Sequence, residues 1–238
     1  MATSGVSSYN ITRDQIINDA LLALNLISPI ETATATEIAV AKRRLNNMIK
    51  AWQGMGIGLW LNDQKSLTLV VGQQSYLFGP GRAITVRPLT IVEARLKSSD
   101  GIETMLEAIS RDEYFTLPLK TSTGKPSQYY YDPQLTDGVF YIWPTADDDT
   151  DSIQLTIRTP IEIFVNLNDN PDFPIEWAEA LVYNLAKRLA ADYEVSADKF
   201  LMISALAKES FAEANNFDRE PVSTFFMPAP SPYGQRGR

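Results

Sequence analysis

The 238-residue chain contains neither cysteine nor histidine. Without thiols there is no disulfide framework, no thiolate nucleophile and no Cys-ligated zinc, and the redox compartment leaves no mark on the sequence. Without imidazole the commonest general base and the commonest metal ligand are missing. Ser-His-Asp, Cys-His and HExxH chemistries are therefore excluded. Long apolar runs are lacking too: none reaches the roughly 18 residues that a membrane-crossing helix needs. Met1-Ala2-Thr3-Ser4-Gly5 has no basic, apolar leader pattern, so the expectation is a soluble protein made inside a cell. Positive charge is in deficit, with 21 Lys and Arg against 29 Asp and Glu and a net charge of −8. Nucleic-acid binders gain affinity by neutralising phosphates, so this chain as a whole repels DNA.

What remains is an ordinary globular composition, 45% hydrophobic and 21% charged, which excludes disordered, collagen-like and coiled-coil readings. At about 150 residues per domain the length fits one large domain or two small ones. Thr12-Arg13-Asp14-Gln15 is a capping box, in which the Thr12 hydroxyl accepts an orphan N–H and Gln15 reaches back. Ile16, Ile17, Ala20, Leu21 and Leu24 follow at helical spacing, and Ser28-Pro29 is expected to end the run. After a Thr/Ala-rich link, Ile38, Ala41, Leu45, Met48, Ile49 and Trp52 form a second apolar stripe. Lys42, Arg43, Arg44 and Lys50 lie mostly on its wet side, with Gly54 as C-cap. Two helices so connected should pack as an antiparallel hairpin.

Near Ile57 the period changes from 3.6 to 2. Leu59-Trp60-Leu61, Ser66 to Val71, Gln74 to Phe78 and Arg87 to Leu96 read as strands, with Pro88 favouring an edge or a strand start. Gln128 to Tyr131 and Val139 to Trp143 form the clearest hairpin, its turn carrying Asp137-Gly138, a pair suited to positive φ. Ile153 to Thr159 alternates as a half-buried strand, and Ser110-Arg111-Asp112-Glu113 is another capping box. Many short strands with frequent turns point to a small sandwich or barrel. From Phe173 the helical period returns, with Pro174 in a first turn. Ile175, Ala178, Leu181, Val182, Leu185, Ala186, Leu189 and Ala190 then form a broad apolar face. Ser196 caps a last helix carrying Phe200, Ile203, Leu206, Ala207, Phe211 and Ala214.

The expected fold is α+β. N- and C-terminal helix pairs make a four-helix bundle, with an inserted antiparallel β-sandwich or barrel-like domain and an extended C-terminal tail. The expected boundaries are 1–58 for the N-terminal hairpin, 59–173 for the β insert, 174–218 for the C-terminal helix pair and 219–238 for the tail. The insert carries 9 basic and 16 acidic residues, the tail 3 and 1.

Candidate chemistry is thin. Gly54-Met55-Gly56-Ile57-Gly58 follows a helix and leads into a strand, the reverse of a nucleotide-binding loop, so it reads as a helix stop and hinge. Gly124-Lys125 runs into Pro126, where a P-loop needs Ser or Thr. Ser122 to Lys125 and Ser196 to Lys199 are Ser-x-x-Lys strings without their partner motifs. Asp147-Asp148-Asp149-Thr150-Asp151 and Asn168-Asp169-Asn170-Pro171-Asp172 carry oxygen ligands but not the EF-hand spacing, and read as solvated turns. Carboxylate pairs are the catalytic type left, and none stands out among 29 acidic residues. Tyr129, Tyr130, Tyr131, Tyr141 and Trp143 are expected to pack across strands. The tail is different: Phe225, Phe226 and Met227 sit in a Pro-rich segment unable to form its own core, which suggests docking on a partner.

Leu45-Asn46-Asn47-Met48-Ile49-Lys50-Ala51-Trp52 followed by Gly54, Gly56 and Leu59-Trp60 resembles the opening of head-to-tail adaptors of tailed double-stranded DNA bacteriophages. Gly138-Val139-Phe140-Tyr141-Ile142-Trp143-Pro144-Thr145-Ala146, followed by Ile153 to Arg158, resembles their β region. Phe173-Pro174-Ile175-Glu176-Trp177-Ala178-Glu179-Ala180-Leu181 through Ala190-Ala191-Asp192-Tyr193 resembles their C-terminal helix. The serial order of these strings, over most of residues 10–218, is similar to the tail tubular protein A and packaged-DNA-stabilisation groups. The resemblance implies a structural connector, not an enzyme, with no cofactor and no metal. It implies a homo-oligomeric ring, typically of twelve copies, between the portal protein and the tail nozzle or tail tube protein. Double-stranded DNA would pass through its lumen without sequence-specific binding, and no membrane would be involved. The location would be the virion neck, after synthesis in the cytoplasm of the bacterial host. C-terminal segments of such adaptors embrace the portal, which makes Phe225, Phe226, Met227, Tyr233, Arg236 and Arg238 the candidate partner-binding residues. Some such adaptors have been associated with peptidoglycan hydrolysis, so a weak carboxylate-dependent hydrolase of the virion is the alternative.

Overall fold

The structure, a computed structural model, describes residues 9–218. Helix α1 (Arg13–Ala23) starts as expected: the Thr12 hydroxyl accepts the Gln15 N–H, and Gln15 Oε1 accepts the Thr12 N–H at 2.8 Å. It stops short of Ser28-Pro29. Asn25 adopts a left-handed φ of 59°, and the N–H groups of Asn25 and Leu26 turn back to the Leu22 and Leu21 carbonyls. Asparagine tolerates that conformation better than other side-chain-bearing residues, so it closes the helix before the proline is reached. Helix α2 (Ala35–Gly54) opens on a second capping box, Thr34 with Glu37, hidden in the Thr/Ala-rich link. Ala41, Leu45, Met48, Ile49 and Trp52 are its buried stripe. Gly54 is still helical; Gly56, at φ 76°, is the residue that turns the chain away.

Leu59–Leu61 is a 3-10 turn rather than a strand. Strands β1 (Asn62–Thr68), β2 (Ser75–Phe78), β3 (Thr90–Lys97), β4 (Glu103–Met105) and β5 (Glu107–Ala108) precede helix α3 (Arg111–Thr116). After it come β6 (Gln128–Asp132), β7 (Gly138–Trp143) and β8 (Ser152–Arg158). They form two four-stranded sheets, β1-β8-β3-β4 and β2-β7-β6-β5. The expected antiparallel pairing holds for every named pair except β5 with β6, which is parallel. The β6–β7 hairpin pairs Tyr130 with Tyr141. Positive φ plays no part in its turn. Gly138 is needed for space, because a Cβ there would run into the Tyr131 ring and hydroxyl. In β3 the register skips Val92, a bulged residue left outside the core.

A 3-10 turn, Ile175–Trp177, with Pro174 in the N-cap position, leads into α4 (Ala178–Leu189). Trp177, absent from the expected apolar face, is fully buried, whereas Ile175 is exposed. Helix α5 (Ala197–Phe217) begins after Ser196, whose side chain makes no capping bond. Helices α1, α2, α4 and α5 share one hydrophobic core, and inward residues of both sheets make a second. The molecule is thus α+β, with five α-helices and two sheets among the described residues.

Candidate assembly surfaces

Where the chain leaves the β insert, polar side chains of α2 hold it, among them Lys42 and Lys50, which the sequence places mostly on the wet side. Lys42, Asn46, Lys50 and Gln53, spaced four, four and three residues apart, share one face of α2. Each grips the extended backbone of residues 161–165. The Lys42 Nζ donates to the Val165 carbonyl at 2.6 Å, and Lys50 Nζ to the Ile161 carbonyl at 2.6 Å. Asn46 both donates to the Phe164 carbonyl and accepts the Phe164 N–H, each at 3.0 Å. Gln53 Oε1 accepts the Ile161 N–H at 3.1 Å. Partial burial lowers the Lys50 pKa, with Asp172 partly opposing. Next to this ladder Trp52, Trp60, Phe173, Trp177 and Phe211 meet, with ring centroids 5.1 to 6.1 Å apart. Arg158 Nη2 donates to the Gly58 carbonyl at 3.1 Å, and Trp60 Nε1 to the Asp172 carbonyl at 3.1 Å.

On the insert, the aromatic cluster packs across strands, as its spacing suggests. Tyr130 and Tyr141 stack at 5.7 Å, and buried Tyr114 of α3 lies over Tyr141 at 4.8 Å. Trp143 Nε1 donates to the Leu119 carbonyl. Burial raises the Tyr131 pKa to about 12, Arg87 opposing, while its hydroxyl donates to the Pro88 carbonyl at 2.7 Å.

The remaining candidates are occupied by backbone. Asp148 accepts the Thr150 N–H, Asp169 the N–H groups of Val165 and Asn166, and Asp172 that of Glu162. Those to Asp148 and Asp169 close local turns and lower their pKa values, whereas Asp172 bridges ten residues. No group of three or more Asp or Glu side chains among the described residues is arranged to hold a metal ion. Lys199 Nζ donates to Asn25 Oδ1 at 3.4 Å rather than to Ser196. The six tail residues expected to bind a partner, Phe225, Phe226, Met227, Tyr233, Arg236 and Arg238, lie outside the described residues.

Two surfaces escaped sequence reading. Between α1 and α4 runs an open groove of about 570 Å³, lined by Ile11, Leu22, Val182 and Tyr183 with Asp19 and Glu179. Its apolar surroundings desolvate Asp19 and raise its pKa. Helix α5 exposes Leu201 and Met202 side by side. The sequence signal was there, two adjacent large apolar residues off the inward stripe of an already apolar helix.

A family model described as SU10 adaptor protein matches residues 11–225. The chain belongs to the SU10 adaptor protein family. No curated protein matches it. SU10 adaptors are phage head-tail adaptors, a structural class, and membership implies a place in the virion neck, portal and tail partners, and oligomeric assembly. Among the described residues of this SU10 adaptor no helix is long and apolar enough to cross a membrane.

Proposed function

We propose that the chain is the protomer of a ring, dodecameric by resemblance, clamped between the portal and the tail nozzle, through which packaged DNA passes. The observation that carries this reading is the family match over residues 11–225. The helices 1–58 and 174–218 act as a four-helix bundle, residues 59–173 as a sandwich-like insert touching the neighbouring ring, and residues 219–238 as the portal-docking tail. The net charge of −8 supports the conduit role, because a channel that must let DNA slide should not hold its phosphates. Mass photometry of the full chain, alone and mixed with the portal ring, tests the proposal. The expected result is a ring-sized species or a portal-bound assembly. A lone 26.5 kDa species that ignores the portal overturns it. Deleting residues 219–238 should leave the protomer folded and weaken portal binding; unchanged affinity removes the tail from the interface.

A further inference from the structure

The chain enters the insert through Gly56 and Gly58, whose φ angles of 76° and 103° lie in the left-handed region. Such backbone continues neither α2 nor β1, so the peptide groups of buried Gly58 must find partners elsewhere. Beyond the Leu61 N–H on its carbonyl at 3.3 Å, both come from charged side chains far along the chain. The Gly58 N–H donates to Asp218 Oδ2 at 3.0 Å, and Arg158 Nη2 donates to the Gly58 carbonyl at 3.1 Å. Hydrogen bonds to ionised groups are the strong kind. Arg158 ends β8, the last strand of the insert, and Thr159 beside it donates its N–H and its hydroxyl to the Leu61 carbonyl at 2.9 and 3.1 Å. The way into the insert and the way out are therefore one joint.

Asp218 belongs to neither crossing. It is the C-cap of α5, with its N–H on the Ala214 carbonyl at 3.1 Å, and residues 219–238 begin immediately after it. A carboxylate there faces the negative end of the helix dipole, so its position is opposed locally and the Gly58 contact offsets the cost. The last turn of a helix frays, so the hold on Gly58 depends on what restrains the chain just beyond. We propose that Asp218 couples tail docking to the insert. When the portal holds residues 219–238, Asp218 stays on the Gly58 N–H and fixes the angle between insert and helices; otherwise the last turn opens and the hinge is released. A hinge concentrates its change in φ and ψ in a few residues, so one bond at such a residue biases the whole unit. This rests on the portal-docking reading of the tail and goes beyond it, giving docking a consequence inside the protomer.

The absence of cysteine makes the test direct. Asn47→Cys on α2 and Leu135→Cys in the β6–β7 turn, both exposed, take a pair of spin labels in the full chain. The labelled chain is diluted into unlabelled chain, so that a ring carries a single pair, and is read by pulsed electron paramagnetic resonance. The distance distribution should be broad in the free chain and roughly halve in width on the portal ring. Asp218→Ala should bind the portal and stay broad, whereas Asp218→Asn, whose amide oxygen still accepts the Gly58 N–H, should narrow like the parent. A short glycine insert between Asp218 and Arg219 keeps every atom of the clamp and slackens only the connection. That chain should also bind and stay broad, and it decides the matter if Asp218→Ala folds poorly. Narrowing in the Asp218→Ala or the glycine-insert chain overturns the coupling and leaves portal docking standing. So does a portal-bound parent no narrower than the free one. A parent that ignores the portal overturns docking and coupling together.

Discussion

At the residue scale, two side chains carry costs that substitution exposes. Gly138 is a strand residue whose missing Cβ makes room for Tyr131, and the Tyr131 hydroxyl in turn satisfies the Pro88 carbonyl. Gly138→Ala should therefore destabilise by about 1–3 kcal/mol, read as a lower denaturant midpoint with unchanged slope. Tyr131→Phe in the same chain removes the atom nearest the new methyl, so the double variant should lose less than the two single losses summed. Asp19 is the opposite case. Its folded pKa is raised by desolvation, so folding penalises the ionised form. That penalty is nil below the unfolded value of 3.8, grows as pH rises through the folded pKa, and is complete at neutral pH. Asp19→Asn should accordingly raise the melting temperature at pH 7. Titrating downward through the carboxylate range should erase the difference; a gap that widens on acidification contradicts the desolvation account.

At the element scale, the α2 ladder pins the segment that follows β8 onto the helical core. Asn46 satisfies both the N–H and the carbonyl of Phe164, a residue only 3% exposed. Asn46→Ala strands both groups and should cost about 1–3 kcal/mol, with hydrogen exchange at the Phe164 amide rising ahead of exchange in the helices. How far such elements are legible follows from distance along the chain. The boxes at Thr12 and Ser110, the stripe of α2 and the β6–β7 hairpin depend on residues close together in sequence, and all could be read before the fold was seen. The ladder could not: Lys42 and Lys50 grip carbonyls 123 and 111 residues away, and from the helix alone they look solvated. Strands β4 and β5 are three and two residues long, too short to show a period. The groove between α1 and α4 belongs to the same class, since it needs two helices placed before it exists.

At the scale of the whole molecule, the helical and β cores are separate clusters, and what ties them decides whether they unfold together. The ties where the chain crosses between them are polar: the α2 ladder on residues 161–165, Arg158 on the Gly58 carbonyl and Trp60 on the Asp172 carbonyl. Trp52, Trp60 and Trp177 belong to the helical core and Trp143 to the insert. In a Trp143→Phe chain, tryptophan fluorescence thus reports the helices alone, while far-UV dichroism reports both units. If the joints couple the cores, the two probes should give coincident denaturant transitions. Adding Asn46→Ala and Arg158→Ala removes two of these ties without replacing a core side chain, and should pull the transitions apart with the insert melting first. Two separated transitions in the Trp143→Phe chain itself would mean that the two cores fold independently.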